Sequence, residues 1–215
     1  MSSLLDRLNP PQKEAATTIE GPLLVLAGAG TGKTSVITSR IAYMIQNGVA
    51  PTSILGVTFT NKAAKEMRER LNRIVPVEDA RKVTLGTFHS FCARVLRRDI
   101  HYAGNLKFSI ADDSDQKSIL RQAAAELGYS KDDAPTDEAA AFISNAKNRI
   151  LDPDAAYEDA KLNHPAQLRL AEIYERYQKM LELQNIVDFD DMLMLTLKIF
   201  ENHPKILERY RDIYR

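Results

Sequence analysis

The segment Ala27–Thr34, AGAGTGKT, limits what this chain can fold into more than any other stretch of the sequence. It follows the continuous apolar run Pro22–Ala27 (PLLVLA) and opens a stretch of helical periodicity over about residues 33–47. A buried strand, a glycine-rich turn and a helix in that order form the setting of a phosphate-binding loop. Gly28, Gly30 and Gly32 let the backbone bend, so that the N–H groups of the segment Ala27-Gly28-Ala29-Gly30-Thr31-Gly32 converge on phosphate oxygens. The helix N-terminus adds partial positive charge. Lys33 is placed to reach the β- and γ-phosphates, and the Thr34 hydroxyl to ligate Mg2+. The first position is Ala27 where the strict motif has glycine, and a residue this small still permits the turn. The segment implies a nucleoside triphosphate, ATP with Mg2+, and leaves open which phosphate-loop chemistry follows.

The rest of the chain divides into two kinds of sequence. Ile54–Phe59 (ILGVTF) and Val83–Gly86 (VTLG) read as further strands, alternating with helical segments over about 61–74 and 87–101. Asn61 and Thr87 stand where N-caps belong. This order predicts a parallel sheet with helices on its faces. From about residue 104 strand-like runs nearly vanish. Leu170, Ile173, Tyr174, Tyr177 and Leu181 form one helical stripe, expected to be core. Turn signals at Asp132–Pro135, Asp152–Pro153 and His164–Pro165 divide the region into about four helices. Charge follows the same division: residues 1–103 carry 14 Lys and Arg against 8 Asp and Glu, while 104–186 carry 10 against 15. The basic half suits a polyanion and the acidic region reads as a separate module. Within that module, Lys147 and Arg149 are the basic residues offered for contact with a nucleic-acid backbone.

Several readings are excluded. The single cysteine, Cys92, precludes an intramolecular disulfide and reads as a small buried residue. The opening MSSLLDRLNP lacks the pattern of a signal peptide, and no apolar run is long enough to span a bilayer, so a cytoplasmic location without a membrane partner is expected. His89 has no second His or Cys at ligand spacing, which argues against a metal there.

Four blocks in order then narrow the reading. Leu8-Asn9-Pro10-Pro11-Gln12, AGAGTGKT, Thr58–Arg70 (TFTNKAAKEMRER) and Gly86–Arg94 (GTFHSFCAR) resemble the opening motifs of superfamily-one DNA helicases of the UvrD/Rep/PcrA type. Val187–Leu193 (VDFDDML) resembles a further landmark of that family. The resemblance implies a RecA-like phosphate-loop α/β fold, with a parallel sheet covered by helices on both faces. It places an incomplete motor domain at 1–103 with 187–215 and an all-α insertion at 104–186. It implies an ATP-dependent 3′-to-5′ helicase, a hydrolase serving DNA repair or replication, whose partners are single-stranded DNA, duplex junctions and recruiting proteins. Gln12 resembles the residue that reads adenine, through the donor and acceptor of its carboxamide. Phe59, Thr60, Asn61 and Lys62, and Thr87, Phe88, His89 and Ser90, occupy the two strand-to-helix junctions that the family runs along single-stranded DNA. Phe59 admits two roles, stacking on a base or filling the core. Lys65, Arg68 and Arg70 read as a solvated face.

Two features depart from the pattern. Ser35 stands where the family carries a basic residue near the adenine. The acidic pair that holds magnesium and orients water is not evident, since Asp188, Asp190 and Asp191 read as helix-start carboxylates. The family's acidic strand comes shortly after a segment like Leu207–Arg215, so the chain reads as the opening part of a longer helicase, able to hold ATP without turning it over. Two other classes stay open on the residues alone: a small phosphate-loop kinase, and a non-catalytic module that binds DNA or a partner.

Overall fold

The computed structural model describes residues 5–104, 107–130 and 132–214; Met1–Leu4 of the opening segment and Arg215 of the closing one lie outside the described residues. The chain is a mixed α/β molecule that divides into two compact units. One comprises residues up to Phe91 together with Lys205 onward, and the other runs from Cys92 to Pro204. The helical region expected over 104–186 is thus packed with 92–103 and 187–204.

The first unit contains α1 (Pro10–Thr17), α2 (Lys33–Gln46), β1 (Leu55–Thr58), α3 (Asn61–Leu71), α4 (Val77–Lys82), β2 (Thr84–Thr87) and the start of α5 (Phe88–Asp99). β1 and β2 are parallel, with Thr58 opposite Thr87. Ile41, Ala42, Ile54, Met67, Leu71, Val75, Ala80, Val83 and Leu85 form its core. Gly56 leaves room for Leu85: a Cβ on it would lie 2.5 Å from the end of the Leu85 side chain, which would have to shift. Two arginines act as braces. Arg68 donates to the carbonyls of Ala80 (3.3 Å) and Leu85 (3.1 Å), which removes it from the expected solvated face. Arg40 on α2 donates to the carbonyls of Ala15 (2.9 Å) and Thr18, tying down the C-terminal end of α1.

The boundaries hold an instructive difference. The first block of helix signals is capped by Thr60, whose Oγ1 accepts from Ala63 N at 3.1 Å, one residue before the expected Asn61. Thr87 does cap its helix, accepting from Ser90 N at 3.1 Å. The run Pro22–Ala27 forms no strand among the described residues, and its side chains are exposed, Leu24 at 83% and Leu26 at 88%. Apolar continuity announces a strand that sheet neighbours should cover, but the ladder itself requires those neighbours. The other two strands find each other, and this one finds none.

In the second unit, α6 (Asp113–Glu126), α7 (Thr136–Asn148), α8 (Pro153–Asn163) and α9 (Leu168–Gln184) are the four expected helices, followed by α10 (Phe189–Asn202); α11 (Pro204–Ile213) leads back into the first unit. The stripe Leu170, Ile173, Tyr174, Tyr177 and Leu181 is fully buried, as its period requires. Two-residue strands β3 (Ser109–Ile110) and β4 (Ile186–Val187) pair in parallel. Asp188 caps α10 in a reciprocal capping box with Asp191, matching the helix-start reading. Lys147 corrects its sequence reading. It is buried, with Nζ 2.6 Å from Asp188 Oδ2 and 2.8 Å from Asp191 Oδ1, so it has no reach to a backbone outside. Arg149 pairs with Asp159 at 2.7 Å on the surface. Among the described residues no helix is long and apolar enough to cross a membrane.

Candidate functional site

The phosphate loop lies between an exposed apolar run and the first turn of α2, and its local chemistry follows from its carbonyls. Gly30 and Gly32 take φ of +77° and +81°, conformations that a side chain would oppose. This backbone turns the carbonyls of Ala27, Gly28 and Thr31 toward side-chain donors. Lys33 Nζ donates to Gly28 O (2.5 Å) and Ala27 O (3.2 Å), Thr31 Oγ1 donates to Gly28 O (2.8 Å), and Gln12 Nε2 donates to Thr31 O (2.9 Å). The lysine ammonium is thus held over the loop by the loop's own carbonyls. Gly32 is the N-cap of α2 and makes no side-chain cap, so the first N–H groups of that helix have no side-chain partner there. Thr34 follows Lys33 in the first turn, half-buried, its carbonyl accepting from Thr38 Oγ1 at 3.0 Å.

Beside the loop is a cavity of about 500 Å3 lined by Gln12, Leu23, Val25, Lys33, Ile37 and Arg40, among others. A mostly apolar wall with a few convergent polar groups is the composition of a small-ligand site. The sequence-predicted residues Gln12, Ala27, Gly28, Thr31 and Lys33 all line it. Ala29, Gly30, Gly32 and Thr34 lie in the same loop and helix start without lining the cavity. Sequence reading missed Asn9 and Arg40. Asn9 was only part of a motif, and Arg40 sits two turns into an unremarkable helix. A cavity of about 350 Å3 in the second unit differs in kind: of its charged lining residues Glu138, Arg149 and Asp159, the last two are already paired with each other.

The second predicted set is brought together by sheet register. Thr58 opposite Thr87 makes the two strands end level, so Phe59 and Phe88 leave the sheet side by side. Their ring centroids are 6.0 Å apart at an interplanar angle of 51°. Phe59 is 92% exposed, which eliminates the core role for it, and Phe88 is 46% exposed. The carboxyl ends of parallel strands are where α/β sheets present ligand groups. Thr60, Asn61 and Lys62 are exposed at the start of α3, and Ser90 is exposed at the start of α5. Thr87 is buried and uses its hydroxyl on the helix start, and His89 is half-buried. Ser90 Oγ donates to Thr87 O at 2.8 Å. The two junctions thus form one strip, an aromatic pair flanked by helix N-termini. This arrangement can stack a planar ring and accept an anion.

Comparison with known proteins agrees with the ordered motifs. Residues 8–215 match the model of the UvrD/REP helicase N-terminal domain. The chain is 41% identical over its whole length to the ATP-dependent DNA helicase PcrA of Staphylococcus aureus and to that of Staphylococcus epidermidis. It spans 29% of the length of each of these relatives. With the parallel sheet, the phosphate loop and the paired junctions in place, the family follows: the chain belongs to the UvrD/REP helicase N-terminal domain family.

Proposed function

We propose that this chain is the ATP- and single-strand-binding part of a 3′-to-5′ DNA helicase motor. The observation that carries this reading is the glycine-rich loop at the head of α2, with Lys33 Nζ held over it at 2.5 Å from Gly28 O. A triphosphate offers the ammonium oxygens of full negative charge in place of carbonyl dipoles, so Lys33 exchanges one set of acceptors for a stronger one. Mg2+, when bound with the nucleotide, neutralises charge on the β- and γ-phosphates. Thr34 is the residue of this chain that would hold it, since a hydroxyl one position after the loop lysine suits a hard cation. Gln12 reads the base. Phe59 and Phe88 stack on bases of a single strand, and Thr60, Asn61, Lys62, Thr87, His89 and Ser90 serve its backbone. Residues 1–103 with 187–215 form the motor portion and 104–186 the helical insertion.

Holding ATP and hydrolysing it are separate tasks here. The cavity lining among the described residues contains no carboxylate to hold Mg2+ or orient water, which supports a division in which this chain binds nucleotide without turning it over. The test is calorimetric titration of the chain with ATP and Mg2+, compared with Lys33→Ala. Loss of binding in the variant, with its thermal unfolding unchanged, is the expected result. Equal binding by both proteins refutes the site. ATP turnover by the isolated chain, abolished in Lys33→Ala, refutes the division of tasks.

A further inference from the structure

The carboxamide of Gln12 has two lone pairs on Oε1 and two hydrogens on Nε2. One of each is committed to backbone groups of opposite kind. The N–H of Asn9, which can only donate, gives to Oε1 at 3.0 Å, and the Thr31 carbonyl, which can only accept, takes from Nε2 at 2.9 Å. A reversed amide would set N–H against N–H and oxygen against carbonyl, losing both bonds. Asn9 closes the arrangement from the other side, its Oδ1 accepting from Gln12 N at 3.0 Å as the N-cap of α1. The packing is close as well: a Cβ at Gly32 would lie 3.1 Å from Gln12 Nε2. The amide is therefore oriented before any ligand arrives. It keeps one lone pair and one hydrogen unspent, in fixed order, on a side chain that lines the 500 Å3 cavity.

We propose that Asn9 and the Thr31 carbonyl are the positioning groups that set base selectivity, by fixing which end of the Gln12 amide accepts and which donates. The fixed order complements a purine edge with an exocyclic amine beside a ring nitrogen, as in adenine. It opposes one with a carbonyl beside that nitrogen, as in guanine, where the lone pair of Oε1 would meet another oxygen. An amide free to turn offers its NH2 to either base and discriminates less. Because Thr31 belongs to the phosphate loop, the base-reading group and the phosphate cradle are joined by one hydrogen bond. The inference rests on the nucleotide site proposed above.

Calorimetric titration of the 215-residue chain with ATP, GTP and inorganic triphosphate, each with Mg2+, tests it, using Asn9→Ala, Asn9→Asp and Gln12→Glu. Asn9→Ala frees the N-terminal turn of α1 and should lower the ATP-to-GTP affinity ratio about tenfold, the scale of one lost directional contact. Inorganic triphosphate binding should stay unchanged, and Asn9→Asp, which still caps the helix, should restore the ratio. Gln12→Glu leaves the backbone and the Asn9 N–H bond in place while setting oxygen against Thr31 O, and should lose ATP preference without Asn9 being touched. It serves if Asn9→Ala fails to fold by circular dichroism. A fall in ATP, GTP and triphosphate affinity by one common factor overturns the proposal in favour of a purely structural cap, as does an unchanged ratio. Parent protein that binds triphosphate but prefers neither base overturns the proposal and leaves the phosphate site standing. Parent protein that binds none of the three removes the nucleotide site, and the proposal with it.

Discussion

Lys147 carries a charge into the interior of the helical unit, where two carboxylates and two tyrosine rings receive it. Its Nζ is 5.3 Å from the Tyr177 ring centroid and 5.8 Å from that of Tyr174, and Tyr177 donates to Asp188 Oδ2 at 2.8 Å. Removing the ammonium leaves two buried carboxylates without a counter-charge, so Lys147→Ala should destabilise the chain by about 3–5 kcal/mol, read from urea denaturation. Burial is the largest influence on Asp191 and raises its pKa from the ordinary 3.8; the Lys147 ammonium opposes the shift and the Asp188 carboxylate adds to it. An acid with a raised folded pKa holds its proton in the folded chain across a window where the unfolded chain has released it. Stability therefore falls as pH rises from near 4 through that window. Asp191→Asn should flatten this slope, seen as unfolding midpoints that vary less with pH than those of the parent. The sequence showed the two aspartates as a helix start, because capping chemistry is local. It showed Lys147 as a surface base, because burial of a long cation depends on partners 41 and 44 positions away. Gln12, Lys33 and Phe59 were legible as candidates for a related reason: their settings are short motifs within one turn of chain.

Among the elements, α7 ends in a way its sequence does not advertise. Ile150 N donates to Lys147 O and Leu151 N to Ala146 O, both at 2.9 Å, the paired bonds of a Schellman close. That close places Ile150 at φ +60°, a left-handed conformation in which a β-branched residue is strained. Ile150→Gly should therefore raise stability by about 1 kcal/mol, measured as a higher denaturation midpoint at unchanged m-value. Elements with strong local punctuation were read well. Pro153 after Asp152 starts α8, and the Tyr-rich stripe of α9 is core. The run Pro22–Ala27 was read as a buried strand and is exposed, since its apolar character describes surfaces it would need rather than any it meets here. Helix periodicity is satisfied within one element, whereas a parallel strand depends on another.

At the scale of the molecule, Leu23, Leu24, Val25 and Leu26 are an exposed apolar run, of which Leu23, Val25 and Leu26 line the 500 Å3 cavity. An exposed, uncharged apolar run outside any sheet invites association between chains. Analytical ultracentrifugation of the 215-residue chain should show self-association that rises with concentration, and the double variant Leu24→Lys, Leu26→Lys should reduce it. Nucleotide should reduce it too if ligand covers part of the same wall. The family and the general α/β plan were legible in four ordered motifs. The packing of 92–103 and 187–204 with the helices of the second unit depends on contacts over long separations, which no local run of sequence displays.

The short parallel pair of β3 and β4 bears on how this helical unit can vary. Ser109 lies opposite Ile186 and donates to Asn185 O, and Ile110 lies opposite Val187, so the chain leaves for α6 and returns from α9 within one strand spacing, about 5 Å. The residues between them form a cassette with adjoining ends. The two-rung splice is not all that holds it, since Lys147 inside the cassette is buried on Asp188 and Asp191 outside it, so a graft that replaces α7 must bring its own counter-charge for that pair.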